Sequence, residues 1–300
     1  TIYDGVFRTI LNDCRKLIIP VINEVFHERY SGKEEVVFSA NEHFLNRQGG
    51  NEDERITDSN FKIVGTVTKK YHLECQSNID SSMLVRLFEY DTQIALDEGE
   101  IKENVLTVTF PHSAVLYLRC NESTPDKMKI KMVTPGGEVT YDIPLMKSQQ
   151  YTLDEIFEKR LLLLIPFYIF SHEKRFEEYE NDETKLKLLQ EEYELIKNRL
   201  EELMNQGEIS EYMKCTISDM SNKVLEHIAV KYDSVKKGVQ SVMGGKVLEY
   251  EAKAIRNEGL EEGIMAMVSA LRDLNIPAQI ILEKVQEKFN LSLETAQKYI

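Results

Sequence analysis

The strand-like hydrophobic runs of this chain stop near residue 152, and that switch most constrains what it can fold into. Before it, apolar residues alternate over short runs bounded by turn residues, as half-buried strands require. After it the strands stop. Leu186, Leu189, Tyr193, Ile196, Leu200 and Leu203 step by 3, 4, 3, 4 and 3, a heptad seam with charged residues on the remaining faces. A sheet-bearing first half followed by a helical second half is the organisation these periods predict.

Within the first half, Val6, Ile10, Leu17, Ile18, Val21 and Val25 recur at helical spacing, with Pro20 at a break or a first turn. Residues 31–55 are polar and contain Gly49 and Gly50, which predicts a loop around a short strand at Val36–Phe38. From 55 to 77 the period is two: Ile63, Val64 and Val67 precede Lys69 and Lys70, and Leu73 and Cys75 follow, the pattern of a β-hairpin. Asp80, Ser81 and Ser82 form an N-cap cluster for a helix to about Asp97, striped with Leu84, Leu87, Phe88, Ile94 and Ala95. Strands are expected at Val105–Phe110, Ala114–Arg119, Met128–Thr134 and Glu138–Pro144, the last two joined by a turn at Pro135–Gly137. The whole predicts an α/β mixed sheet flanked by helices.

The heptad seam needs a partner helix. It comes either from this chain, 212–232 being a candidate for a coiled-coil-like hairpin, or from a second subunit in a homodimer. Asn257, Gly259 and Gly263 mark a glycine-spotted connector to short helices broken near Asn275–Pro277, with Ser292 as a cap. The expected units are therefore 1–172, 173–256 and 257–300.

Composition narrows the function classes. The 300 residues carry a net charge of −14, whereas a protein that grips duplex DNA tightly is expected to show a basic footprint. Cys14, Cys75, Cys120 and Cys215 are far apart and make no zinc-knuckle spacing, which fits a reducing cytoplasm. The apolar run Leu161–Phe170 contains Pro166 and is too short to span a bilayer, so it is expected in the core and no membrane association is expected. No charged stretch leading into an apolar one opens the chain, so no signal peptide is expected.

The chemistry-bearing stretch is Asp58, on the first arm of the predicted hairpin, with Glu74 and Gln76 on the second. Glu74 and Gln76 are two apart on a strand and share a face, as does His72, while Leu73 and Cys75 face the other way. A hairpin can bring Asp58 beside Glu74. Two carboxylates and the backbone carbonyl of Cys75 then make an all-oxygen site suited to Mg²⁺ or Mn²⁺. Such a metal polarises a phosphoryl oxygen and supplies a nucleophile near neutral pH. By spacing alone, a turn aspartate and a solvated strand glutamate fit as well. His72 reads most simply as a polar residue on the strand face, and His43, His112 and His172 sit in no metal-like spacing. Cys75 reads as a small buried hydrophobe.

The segments 56–61, 72–78 and 83–90, with Asp58, the Glu74-x-Gln76-Ser77 run and a helix carrying Arg86 and Tyr90, resemble the Rpn-like recombination-promoting nucleases, often labelled PD-(D/E)XK nuclease family transposases. Tyr3–Arg8 resembles that group's early helix. The resemblance implies a restriction-endonuclease-like fold and divalent-metal DNA cleavage in recombination or transposition. It implies that Asp58 and Glu74 ligate the metal, that Gln76 stands where the motif has lysine, and that Asp4 is a further acidic member. Arg86 and Tyr90 would contact phosphate or brace the acidic cluster. Glutamine can orient a water but carries no charge to offset what develops on the phosphate. A nuclease-like core that serves as a non-catalytic interaction scaffold is the alternative.

Overall fold

The computed structural model describes residues 1–38, 42–46, 52–56, 59–78, 80, 82–244, 248–274, 276–289, 291 and 293–300. Only the backbone is described at 42–46, 52–56, 248–258, 262, 294 and 295.

Helices α1 (Ile2–Asp13) and α2 (Ile18–Phe26) open the chain, Pro20 lying in the first turn of α2 where its missing N–H costs nothing. Strand β1 (Glu35–Phe38) follows, then β2 (Glu42–Asn46) and β3 (Glu52–Ile56), which form an antiparallel ribbon of their own. That ribbon replaces most of the loop expected over 31–55; Phe44 and Leu45 are adjacent and Glu52–Arg55 are all charged, so no period of two is visible. Strands β4 (Asn60–Val64) and β5 (Lys69–Gln76) make the expected hairpin, with Asn60 opposite His72.

Helix α3 (Met83–Asp97) then crosses over. The strand expected at Val105–Phe110 is shorter than its sequence suggests. Strands β6 (Glu100–Lys102) and β7 (Val105–Thr107) pair only with each other. Glu103 and Asn104 both have positive φ, 49° and 68°, which closes a two-residue turn with the twist of a tight hairpin. Strands β8 (His112–Tyr117), β9 (Lys127–Thr134) and β10 (Gly137–Lys147) complete the main sheet. The order is β1-β4-β5-β8-β10-β9; β5, β8 and β10 run parallel to one another and the other pairings are antiparallel.

The two faces of β5 meet different layers. Tyr71, Leu73 and Cys75 pack with α1, α2 and the helical half in one core that extends from Tyr3 to Met243. On the other face, α3 places Met83 and Leu87 over Val115, Tyr117, Ile130 and Ile143. The helical half comprises α4 (Leu153–Glu158), a 3-10 helix over Leu162–Arg175, α5 (Phe176–Asn181), α6 (Glu183–Asn205), α7 (Glu211–Ile228) and α8 (Asp233–Met243). The seam residues Leu189, Tyr193, Ile196, Leu200 and Leu203 of α6 are buried in the same core. The seam closes inside the chain, chiefly against α8 rather than in a hairpin with α7 alone. Gln190 donates to the Gly238 carbonyl at 3.1 Å, and a Cβ at Gly238 would stand 3.1 Å from Leu186 Cδ1. The seam residues are therefore covered from within the chain. The expected division at 172/173 cuts through a continuous core.

The last unit is built on α9 (Leu248–Asp273), α10 (Ala278–Phe289) and α11 (Leu293–Gln297). Gly259 and Gly263 lie inside α9, not in a connector. Ile264, Val268, Ile281, Leu282, Val285 and Ala296 form a separate small core. The expected cap at Ser292 lies outside the described residues. Among the described residues no helix is long and apolar enough to cross a membrane.

Candidate active site

Strand β5 is an interior strand of the main sheet, and its polar face is the one that α3 covers. That combination buries His72, Glu74 and Asp91, with 0%, 3% and 0% of their surfaces exposed. Charged groups at that depth require partners. His72 supplies them: Nδ1 donates to Asp91 Oδ1 at 2.7 Å and Nε2 donates to Glu74 Oε1 at 3.0 Å. Ser113 of β8, opposite His72 in the parallel register, adds a hydroxyl to Asp91 Oδ1 at 2.7 Å. Burial by itself would push the imidazole down. Its hydrogen bonds to Asp91 and Glu74, and their charges, outweigh that and raise it to about 10, so both nitrogens carry protons at neutral pH. The ring of Tyr90 stands edge-on to His72 at 5.9 Å.

The second oxygen of Glu74 faces Arg86, whose guanidinium is 3.7 Å away and also reaches Asp80 at 3.2 Å. The guanidinium thus lies between Glu74 and Asp80. Asp80 in turn accepts from the backbone and hydroxyl of Ser82, and these bonds, with Arg86 beside it, hold its carboxyl below the usual range. Ser82 thus precedes α3 without capping it; its hydroxyl is spent on Asp80.

Gln76 follows Glu74 on the same face at the end of β5 and is half-buried; its carbonyl accepts from Leu118 N at 2.9 Å. Cys75 is fully buried on the opposite face, as a small hydrophobe would be. Arg119 secures the backbone just beyond. It donates to the Ser77 carbonyl and Asn78 while holding Glu173 at 2.6 and 2.7 Å.

Of the expected members, Asp4 is not joined to this cluster. Asp58 lies outside the described residues. Asp4 forms a capping box at the start of α1, where its carboxylate engages the Thr1 nitrogen and the Thr1 hydroxyl accepts from its backbone. Helix α1 packs on the Leu73 and Cys75 face of β5, across the sheet from Glu74.

The sequence patterns do not single out Asp91 or Ser113 and give His72 no more than a strand-face position. One signal was available: Asp91 falls in the apolar stripe of α3, four residues after Leu87 and three before Ile94, where a charge must be paired to be tolerated. His112 and His172 are elsewhere. Burial lowers the first, and the second joins Tyr179 and Glu192. His43 has no described side chain.

The oxygen donors on this face suit a hard divalent cation. The Asn60 Oδ1 and Asp91 Oδ2 oxygens are also buried with no hydrogen-bond partner among the described residues. Among the described residues, however, no three His, Cys, Asp or Glu side chains are grouped so as to hold a metal. A complete set therefore needs a contribution such as that of Asp58. Comparisons with protein-family models, curated proteins and solved structures found nothing that matches this chain.

Proposed function

We propose that this chain is a divalent-metal-dependent DNA endonuclease, using Mg²⁺ or Mn²⁺, of the kind associated with recombination or transposition. The observation that carries the reading is Glu74. It is a carboxylate buried on an interior strand, with its orientation fixed on both sides by His72 and Arg86, and with Gln76 next to it on the same face. A glutamate serving only solubility has no reason to be there. The chain order of helix, antiparallel strands, crossover helix and a strand parallel to the last supports the finer reading of a restriction-endonuclease-like sheet.

In this reading Asp58 and Glu74 would hold the cation, which would supply Lewis-acid polarisation of a phosphoryl oxygen. Gln76 would orient a water through its amide, which can both donate and accept. Arg86 keeps Glu74 from turning away. Tyr90 and His72 close the cluster from the α3 side and exclude bulk water.

A nicking assay on supercoiled plasmid with Mg²⁺ or Mn²⁺ tests the proposal. Wild type should nick, and Glu74→Ala and Asp58→Ala should each lose the activity. Equal cutting by all three would mean that another protein does it.

The second reading is a nuclease-like fold serving as a non-catalytic interaction scaffold. The net charge of −14 and the full engagement of Glu74 by protein partners favour it. It expects a folded protein that binds neither cation and leaves the plasmid intact.

A further inference from the structure

We infer that the cleft between the end of α1 and helix α10 binds a mononucleotide, with Lys16 and Lys33 holding its phosphate and the apolar wall covering its base. The proposal is independent of the endonuclease reading, because the cleft lies on the α1 side of the sheet and Glu74 is on the other.

The cleft has a volume of about 820 Å³, within the roughly 300–1,000 Å³ usual for small-molecule sites. The end of α1 and the 3-10 turn Arg15–Leu17 form one side, the connection between α6 and α7 another, and α10 a third. Its lining carries five cations, Arg15, Lys16, Lys33, Arg160 and Lys288, against two carboxylates, Asp13 and Glu208. On a chain of net charge −14 that is a local reversal of sign. Cations gathered in a cleft with low-dielectric walls concentrate anions there.

The acids at the cleft are already engaged. Glu208 holds Arg160 at 2.7 and 3.0 Å, and Asp13 accepts from the Tyr212 hydroxyl at 2.7 Å. Just outside the lining, Glu35 pairs with Lys288, and Glu34 accepts from the Ser31 and Gly32 amides at 2.8 and 2.9 Å. Lys16 and Lys33 are exposed, and their side chains make no ion pair or hydrogen bond among the described residues. An ammonium is a compact point charge suited to a phosphate oxygen.

Much of the remaining wall is apolar, with Leu17, Leu162, Ile209, Met213 and Phe289. A bare anion leaves that surface wet, whereas a ligand with a flat apolar body covers it. Phe289 is half-buried and supplies an aromatic ring on which a base can stack. Asn12 and Ser31 add uncharged hydrogen-bonding groups for sugar hydroxyls. Charge, aromatic surface and neutral polar groups in one cleft of this size match the three parts of a nucleotide.

Calorimetric titration of the full chain with AMP tests this, with inorganic phosphate and adenosine as the separated halves of the ligand. AMP is expected to bind more tightly than either half, and its affinity to fall with added salt. Lys16→Glu and Lys33→Glu should each weaken AMP by about 10-fold. Lys187→Glu makes the same charge change at an exposed position on the far end of α6, and should leave the affinity within about twofold. Phe289→Leu keeps a large apolar side chain but removes the ring, and should weaken AMP without changing inorganic phosphate. The proposal is overturned if wild type does not bind AMP, if inorganic phosphate binds as tightly as AMP, or if Lys187→Glu loses as much affinity as Lys16→Glu and Lys33→Glu. None of these outcomes bears on Glu74, which the plasmid assay tests separately.

Discussion

His72 Nδ1 lies 2.7 Å from Asp91 Oδ1 where neither side chain is exposed, so a buried hydrogen-bonded pair ties strand β5 to the crossover helix α3. Removing one member leaves the other buried with its bonding capacity unmet. Asp91→Ala should therefore destabilise the protein by about 3–5 kcal/mol, read from denaturant unfolding at neutral pH. Tyr141→Phe is the contrast, since its buried hydroxyl has no hydrogen-bond partner among the described residues. It should change stability by less than about 1 kcal/mol. Equal effects from the two would mean that the His72–Asp91 pair contributes nothing special.

The same pair makes stability depend on alkaline pH. In the unfolded chain His72 titrates near its ordinary value of 6.5, while in the fold it is raised to about 10. The folded state therefore binds the proton more tightly. The stabilisation is fully present below pH 6.5 and declines progressively as pH rises toward about 10, where the folded protein releases that proton too. Unfolding free energy measured between pH 6.5 and 10 should fall for wild type. It should fall less steeply for His72→Gln, which has no proton to lose.

Much of this architecture is visible in the residues themselves, and the reasons differ from place to place. The β4–β5 hairpin is legible because Ile63, Leu73 and Cys75 alternate with polar neighbours; α3 is legible because Leu87, Ile94 and Ala95 fall on one helical face. The β2–β3 ribbon is not, because Phe44 and Leu45 are adjacent rather than alternating and Glu52–Arg55 are all charged, so the sequence shows no period of two. The partner of the α6 seam is not legible either. A heptad declares that a helix must be covered but not by what, and here α8, with Gly238 beneath Leu186, does the covering. At the site, Glu74 and Gln76 declare a shared face through their spacing. The value of that face depends on Asp91, from a different element, and on Ser113, from a third. Only the register of β5 with β8 and the seating of α3 bring these together.

The docking of α8 on α6 makes a separate prediction. A Cβ at Gly238 would stand 3.1 Å from Leu186 Cδ1 and 3.4 Å from Gln190 Nε2. Gly238→Val puts two further methyl groups into that contact and should cost about 1–3 kcal/mol by overpacking. Leu200→Ala, in the same seam and fully buried, should cost about 2–5 kcal/mol through the cavity it leaves. Neither substitution should alter the mass in sedimentation, because the seam is closed within one chain. A change in oligomeric state on Leu200→Ala would show that α6 also meets a second copy.

Gln76 separates water orientation from metal binding. It sits two residues beyond Glu74 on the same face but is not needed to hold Glu74, whose restraints come from His72 and Arg86. Under the endonuclease reading, Gln76→Ala should slow plasmid nicking by about 100-fold, the scale of removing one well-placed hydrogen-bonding group from a reaction centre. Its Mn²⁺ affinity by calorimetry should stay within about twofold of wild type, a difference of only ~0.4 kcal/mol. Gln76→Lys should nick at least as fast as wild type, because the ammonium adds the charge that the amide lacks and can still donate to a water. Loss of Mn²⁺ binding in Gln76→Ala would instead make the glutamine a ligand. Unchanged nicking would remove it from the chemistry and leave Glu74 and Asp58 to carry the reaction alone.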